Sequence, residues 1–197
     1  MASVSDVAIC RIALGWLGAN SIISLEDDSV EAALCKENYD FLRDAVLEEA
    51  DWSFAIAEAR LVARADEAPL IESGSFFLLP PDCIRVISVY DTSKSEINYW
   101  DKEGRNLRVD QDAILMKYIR RETDPKVYSP TFVQALAARI AATLAPPITN
   151  SNSVAKAMWQ LYGQSMNVSV ANDGLQGGDK PLGKSSLVDV RRGAYRG

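Results

Sequence analysis

Apolar positions recur at two different periods along this chain, and the switch between them divides it into parts. The first part has a helical period. Ile9, Ile12, Ala13, Trp16 and Leu17 share one face of a helix predicted over about residues 5–18. Ser3 and Asp6 have the spacing of a capping box, and Gly18 and Asn20 tolerate the positive φ that ends a helix. After a short apolar link at residues 21–25, a longer helix is predicted over about 28–50. Asp28 with Glu31 offers its cap, and Glu26-Asp27-Asp28 suits the positive end of its dipole. Val30, Leu34, Phe41, Leu42, Ala45 and Val46 read as its buried stripe. Glu31, Lys36, Glu37, Arg43, Asp44 and Glu48 lie mostly away from that stripe. At ~1.5 Å per residue the helix would be roughly 33 Å long. Trp52 and Phe54, in the segment that follows, are expected to anchor the turn into the core.

Short extended segments then replace the helical period over about residues 75–120. Strands are predicted at 75–79, 83–90, 97–100, 106–109 and 113–119, with Pro80-Pro81 ending the first. Asp101-Lys102-Glu103-Gly104-Arg105 reads as a hairpin turn. Helical patterning returns at Ser129-Pro130, a cap followed by proline at the first helical position. The predicted helix covers about 130–145, carries a face of small residues and stops at Pro146-Pro147. A last helix, capped by Ser153, is predicted over about 153–168. From about residue 171 the composition shifts, with six of the chain's 11 glycines in the last 27 residues. This predicts a flexible tail, with one sticky patch at Leu187-Val188, Val190 and Tyr195. The chain therefore reads as a body at 1–170 and a tail at 171–197.

Composition narrows the chemistry. At 197 residues, 48% hydrophobic and 24% charged, the chain suits one globular domain. No run of continuous apolar residues suggests a membrane span, and no secretory leader is visible at the N-terminus, so assembly in the cytoplasm is the expectation. A net charge of −6 argues against clamping nucleic acid through its phosphates, and fits a surface past which DNA slides. The chain has no histidine, which removes the commonest general base and excludes Ser-His-Asp and Cys-His chemistry within it. Cys10, Cys35 and Cys83 lack metal-ligand spacing and are expected as small buried hydrophobes. Neither a cofactor nor a metal is expected.

Two enzymatic features were weighed. Glu48-Glu49, Asp27-Asp28 and Glu122/Asp124 are the acid pairs a glycan-cleaving protein would need, but neighbouring acids on a helix point apart, and solvated charge is the expected role. The glycine spacing Gly174, Gly177, Gly178 lacks the context of a phosphate loop. Among the four tryptophans, Trp16, Trp52 and Trp159 are expected in the core or at subunit contacts. Trp100, beside the charged turn that carries Lys102 and Arg105, is the candidate for an exposed docking residue.

Three stretches resemble the phage tail tubular protein A family of head-to-tail adaptors. The first, residues 8–55, has Leu17-Gly18 at a helix end, an Ile22-to-Leu25 link, an Asp27-Asp28 cap and a closing Trp52-Ser53-Phe54-Ala55. The second, residues 78–91, resembles the family's Leu-Pro-x-Asp-x-x-Arg-Val lead-in to a strand, and the third is the C-terminal helix pair. Together they span about residues 5–165. The resemblance implies a structural virion protein and not an enzyme: a ring subunit, usually of twelve copies, seated under the portal. A tail nozzle or tail tube docks beneath, against the sheet region with Trp100, Lys102 and Arg105, and genomic DNA passes through the lumen. It further implies that the C-terminal segment reaches along the portal. Leu187, Val188, Val190, Arg191, Arg192 and Tyr195 would make that contact, with the two arginines meeting acidic portal groups. Pattern and resemblance together predict an α+β chain that is mainly α. It would be a four-helix bundle with a small antiparallel β region inserted between helix pairs, plus an extended C-terminal tail.

Overall fold

The computed structural model describes residues 4–67, 69–70 and 73–176. The six expected portal-docking residues, Leu187, Val188, Val190, Arg191, Arg192 and Tyr195, lie outside the described residues. Helix α1 (Asp6–Leu17) is capped by Ser5, whose side chain accepts from Ala8 N at 3.2 Å. It ends at Gly18, whose φ of +67° lets its N–H reach the carbonyls of Leu14 and Gly15. Helix α2 (Val30–Glu49) is capped by Ser29. Asp27, expected at that cap, instead accepts from Ile23 N at 2.7 Å and holds the link before it.

The buried stripe of α2 is Ala32, Cys35, Tyr39, Leu42, Val46 and Leu47. Phe41 and Val30, expected inside, are 71% and 68% exposed. Apolar residues occur on two faces of this helix, and it lies on its neighbours with the face that ends at Trp52. That indole is buried, donates to Val46 O at 2.8 Å and meets the Phe132 ring edge-on at 4.9 Å. Phe54 and Tyr128 close the aromatic cluster around Phe132.

The sheet region is larger than expected and has a core of its own. The seven strands are β1 (Ile56–Val62), β2 (Ser75–Leu78), β3 (Cys83–Tyr90), β4 (Glu96–Ile97), β5 (Asp101–Glu103), β6 (Asn106–Val109) and β7 (Ala113–Arg120). They form two antiparallel sheets, ordered β1-β7-β3-β4 and β2-β6-β5. Phe77, Leu79, Val86, Val89, Leu107, Val109, Ile114, Met116 and Tyr118 make the core of this region. Register shifts in β3, between Cys83 and Arg85 and between Val86 and Ser88, change the phase of its side chains. Val86 and Val89 thereby join the sheet core, while Ile84 and Ile87 pack against the helices.

Two helices follow the sheets. Helix α3 (Pro130–Thr149) starts at a Ser129 cap with proline at its first position. It passes through Pro146 and Pro147, which were expected to stop it. Both proline rings are exposed, and one further turn runs to Asn150 in the left-handed conformation, its N–H on Pro146 O. Helix α4 (Asn152–Gln176) begins with Ser151 Oγ accepting from Val154 N at 3.4 Å, and it extends beyond the expected end at residue 168. By length and composition α3 would suit a membrane span, with a mean hydropathy of 1.2. Its apolar surface is met inside the protein: α1, α2 and α4 all pack against it. Ala135, Ala138, Ala141, Ala142 and Ala145 are buried there and permit close approach.

The expectation of a mainly α four-helix bundle with a small β insertion is therefore incorrect. The described chain is a mixed α/β fold of four helices and seven antiparallel strands in two sheets. The physical reason is β1. Ala57, Ala59 and Leu61 turn inward while Glu58, Arg60 and Val62 face out, so the strand completes a four-stranded sheet that buries an independent core. The helices are likewise arranged around α3, with little contact between α1 and α2. Arg121 on Asp44 at 2.7 Å, and Arg85 on Glu48 O at 2.9 Å, join the two halves.

Candidate functional site

The hairpin β5–β6 positions the three residues expected to dock a tail component. Glu103 faces Asn106 across a two-residue loop, Gly104-Arg105, and Gly104 takes a φ of +61° as a type II′ turn requires. Lys102 and Arg105 are exposed, and Trp100 is partly buried against the sheet core. Residues 98–100, expected as strand, are not; pairing begins at Asp101, inside the expected turn.

Arg108 organises the outer side of the hairpin. Its Nε donates to Glu103 at 2.9 Å, its guanidinium pairs with Asp101, and a third nitrogen reaches Ser73 O at 3.4 Å. Beside it, Trp100, Tyr99, Asn98, Asp101, Arg108 and Asp110 line an open cleft of about 400 Å³. Tyr99 is 90% exposed. Lys102 alternates with Asp101 and Glu103 along the strand and so faces the other side. Burial pushes the Cys83 thiol up, while the charge of Lys102, and more weakly that of Arg105, pulls it down. The structure thus separates the expected trio: Trp100 belongs to the cleft, and Lys102 and Arg105 lie toward Cys83. Tyr99 falls in the segment predicted as a strand at 97–100, and its place in the cleft follows from residues 98–100 being unpaired.

A second apolar surface lies on α1. Ile12, on the predicted apolar face, and Trp16, expected in the core or at a subunit contact, are 41% and 37% exposed, and Ile23 beyond them is 91% exposed. Ala8, Arg11, Ile12, Gly15, Ala19 and Ser21 line a shallow groove of about 420 Å³ there. Trp159, on α4, is 44% exposed and serves a structural contact. The Arg139 guanidinium stacks over its ring at 4.5 Å and over Tyr162 at 5.1 Å, and Tyr162 donates to Glu49 at 2.5 Å.

The acid pairs do not assemble into a site. Glu49 is taken by Tyr162, Asp27 by backbone N–H groups, and Glu122 by Arg120 and Asp124 N. Asp124 caps a 3₁₀ turn. The carboxylates with resolved shifts all sit below their ordinary range, whereas a general acid needs the opposite. For Glu31 the cause is its own backbone N–H and then Asn20, for Asp66 it is Arg64, and for Asp91 it is Ser93 and the Ser95 backbone. Among the described residues, no cluster of three or more acids or cysteines could hold a metal ion. Cys10 and Cys35 are buried with reduced thiols side by side, and this contact together with burial drives the Cys10 thiol up. No protein-family model matches the chain, and no curated protein matches it.

Proposed function

We propose that this chain is a structural virion protein: a head-to-tail adaptor subunit whose ring joins a phage portal to the tail nozzle or tube. The observation that carries this reading is the ordered resemblance over residues 5–165, above all the 8–55 stretch from Leu17-Gly18 to Trp52-Ser53-Phe54-Ala55. The geometry supports it in a second way. Large apolar side chains are exposed in separate parts of the chain, Trp16 on α1 and Ile23 in the link after it, Phe41 on α2 and Tyr99 before the β5–β6 hairpin, as a subunit with several neighbours requires. Twelve copies at −6 each would carry about −72, which keeps a DNA channel from adhering to phosphates. The ring would assemble in the host cytoplasm and act at the head–tail junction, with the genome passing through without specific binding.

Binding to the portal ring of the same phage, immobilised and titrated with the purified chain, tests the reading. Saturable binding at one chain per portal subunit is expected. Absence of binding by folded chain overturns it. Removing residues 180–197 is expected to leave the circular dichroism of the body unchanged and to weaken portal binding by about tenfold or more; unchanged affinity would remove the tail from the portal contact.

A further inference from the structure

Two surfaces of the described chain carry charged side chains that form no ion pair, and the balance of charge differs in sign between them. The first is the outward face of the four-stranded sheet. Cross-strand register sets Arg60, Leu115, Tyr90 and Glu96 in one row, and Glu58, Lys117 and Ser88 in the next, so with Lys94 three cations stand against two carboxylates. Lys94, in the turn after β3, lines the same groove of about 510 Å³. Arg60, Lys94 and Lys117 make no side-chain hydrogen bond or ion pair among the described residues, and Glu58 is the one carboxylate lining the groove. Leu115 and Tyr90 give it a partly apolar floor, and Val62, 72% exposed, extends the same strand.

The second surface is the outer stripe of α2. Val30, Ala33, Glu37, Phe41 and Glu48 recur at helical spacing and are all exposed. Phe41 is 71% exposed, one helical turn from Glu37 and two from Glu48. Neither of those carboxylates has a hydrogen-bond or ion-pair partner among the described residues. An aromatic side chain flanked along its helix by two unpaired acids complements, in polarity and in sign, a partly apolar floor beside three unpaired cations.

We propose that these are the two halves of one contact between copies of this chain. Phe41 of one copy seats on Leu115 and Tyr90 of the next, and Glu37 and Glu48 meet Arg60, Lys94 and Lys117. The two patches differ, so the contact is heterologous and leaves a free half at each end, the property that lets subunits repeat head to tail and close into a ring. The inference rests on the ring-subunit reading for its biological setting, but the contact itself needs no portal.

The test uses purified full-length chain in sedimentation velocity, from micromolar to millimolar concentration and at low and high salt. Wild type is expected to self-associate, less so as salt rises. Phe41→Ser and Arg60→Glu, both at exposed positions and checked for folding by circular dichroism, are each expected to weaken association about tenfold or more. Mixing those two variants is decisive. Each keeps the half that the other has lost, so a discrete pair should form and nothing larger. Wild type that stays monomeric throughout, variants that associate like wild type, or a mixture that yields no pair each overturn the inference. Portal binding by a chain that fails here would leave the adaptor reading standing without this contact. Self-pairing by a chain that ignores the portal would do the reverse.

Discussion

The helical half and the sheet half of this chain bury their apolar residues by different rules. In the helical half, α3 supplies an alanine-rich surface on which three helices lie, and an aromatic cluster of Trp52, Phe54, Tyr128 and Phe132 fills the junction with the sheets. Each outer helix also carries large apolar residues on a second face, which therefore stay exposed: Ile12 and Trp16 on α1, Phe41 on α2. In the sheet half, β1 alternates, with Ala57, Ala59 and Leu61 toward the core and Glu58 and Arg60 outward, while β3 and β7 send apolar residues to both cores and Lys117 stays on the charged outer face. The lesson is that the helices offer apolar docking surfaces and the sheets offer charged ones, on one chain.

The largest expected effect asks whether the two halves are one cooperative unit. Phe132→Ala in the helical core and Phe77→Ala in the sheet core should each cost about 3–5 kcal/mol in denaturant unfolding. Because β3 and β7 contribute residues to both cores, each substitution should shift one common transition. Two transitions that respond separately would split the halves. Next is the bridge between them. Asp44 is held by Arg43 within α2 and by Arg121 from beyond β7, so Asp44→Ala should cost about 1–2 kcal/mol. Asp51→Ala, which removes a more exposed partner of Arg85, should cost less.

Alkaline pH probes buried phenols in both halves, three of them in the helical half and Tyr118 in the sheet core. Burial pushes the phenols of Tyr39, Tyr128 and Tyr162 above their usual range, with Asp6 adding to Tyr39 and Glu49 to Tyr162. A raised folded-state pKa contributes stability that is complete below the unfolded value, about 10, and is lost as pH rises beyond it. Stability should therefore fall above about pH 10, and Tyr162→Phe should make that fall shallower. An unchanged slope would mean that Tyr162 ionises as freely in the fold as outside it. The smallest effect is at the cleft. Tyr99 is 90% exposed, so Tyr99→Ala should change stability by less than about 0.5 kcal/mol, and under the proposed adaptor role it should weaken docking of a tail nozzle or tube protein. Destabilisation without loss of docking would make it a packing residue.

Much of the element order was legible in the sequence, and the failures have physical causes. Ser129-Pro130 marked a helix start because capping is local chemistry that tertiary packing seldom overrides. The face of α2 was misread because periodicity reports that apolar residues share a face and not which of two faces meets the core. β1 was missed because Ala, Glu and Arg are poor strand formers, although Ala57, Glu58, Ala59, Arg60 and Leu61 do alternate. That one strand accounts for the misjudged balance of helix and sheet. Pro146-Pro147 misled because both fall in the last turns of α3, where the rings face outward. Trp100, singled out for its position beside a charged turn, lines the cleft and is partly buried against the sheet core. The exposure of Tyr99 and Phe41 was not legible because it depends on packing that no single segment encodes.

The proposed adaptor function is tested by an electron microscopy reconstruction of the purified chain mixed with a phage portal ring encoded in the same genome. An adaptor subunit predicts a second ring stacked coaxially on the portal, one copy per portal subunit, with the Phe41 stripe of each copy against the Arg60–Lys117 face of the next. Well-folded chain that leaves the portal bare, or that binds it singly and off-axis, would contradict the adaptor function.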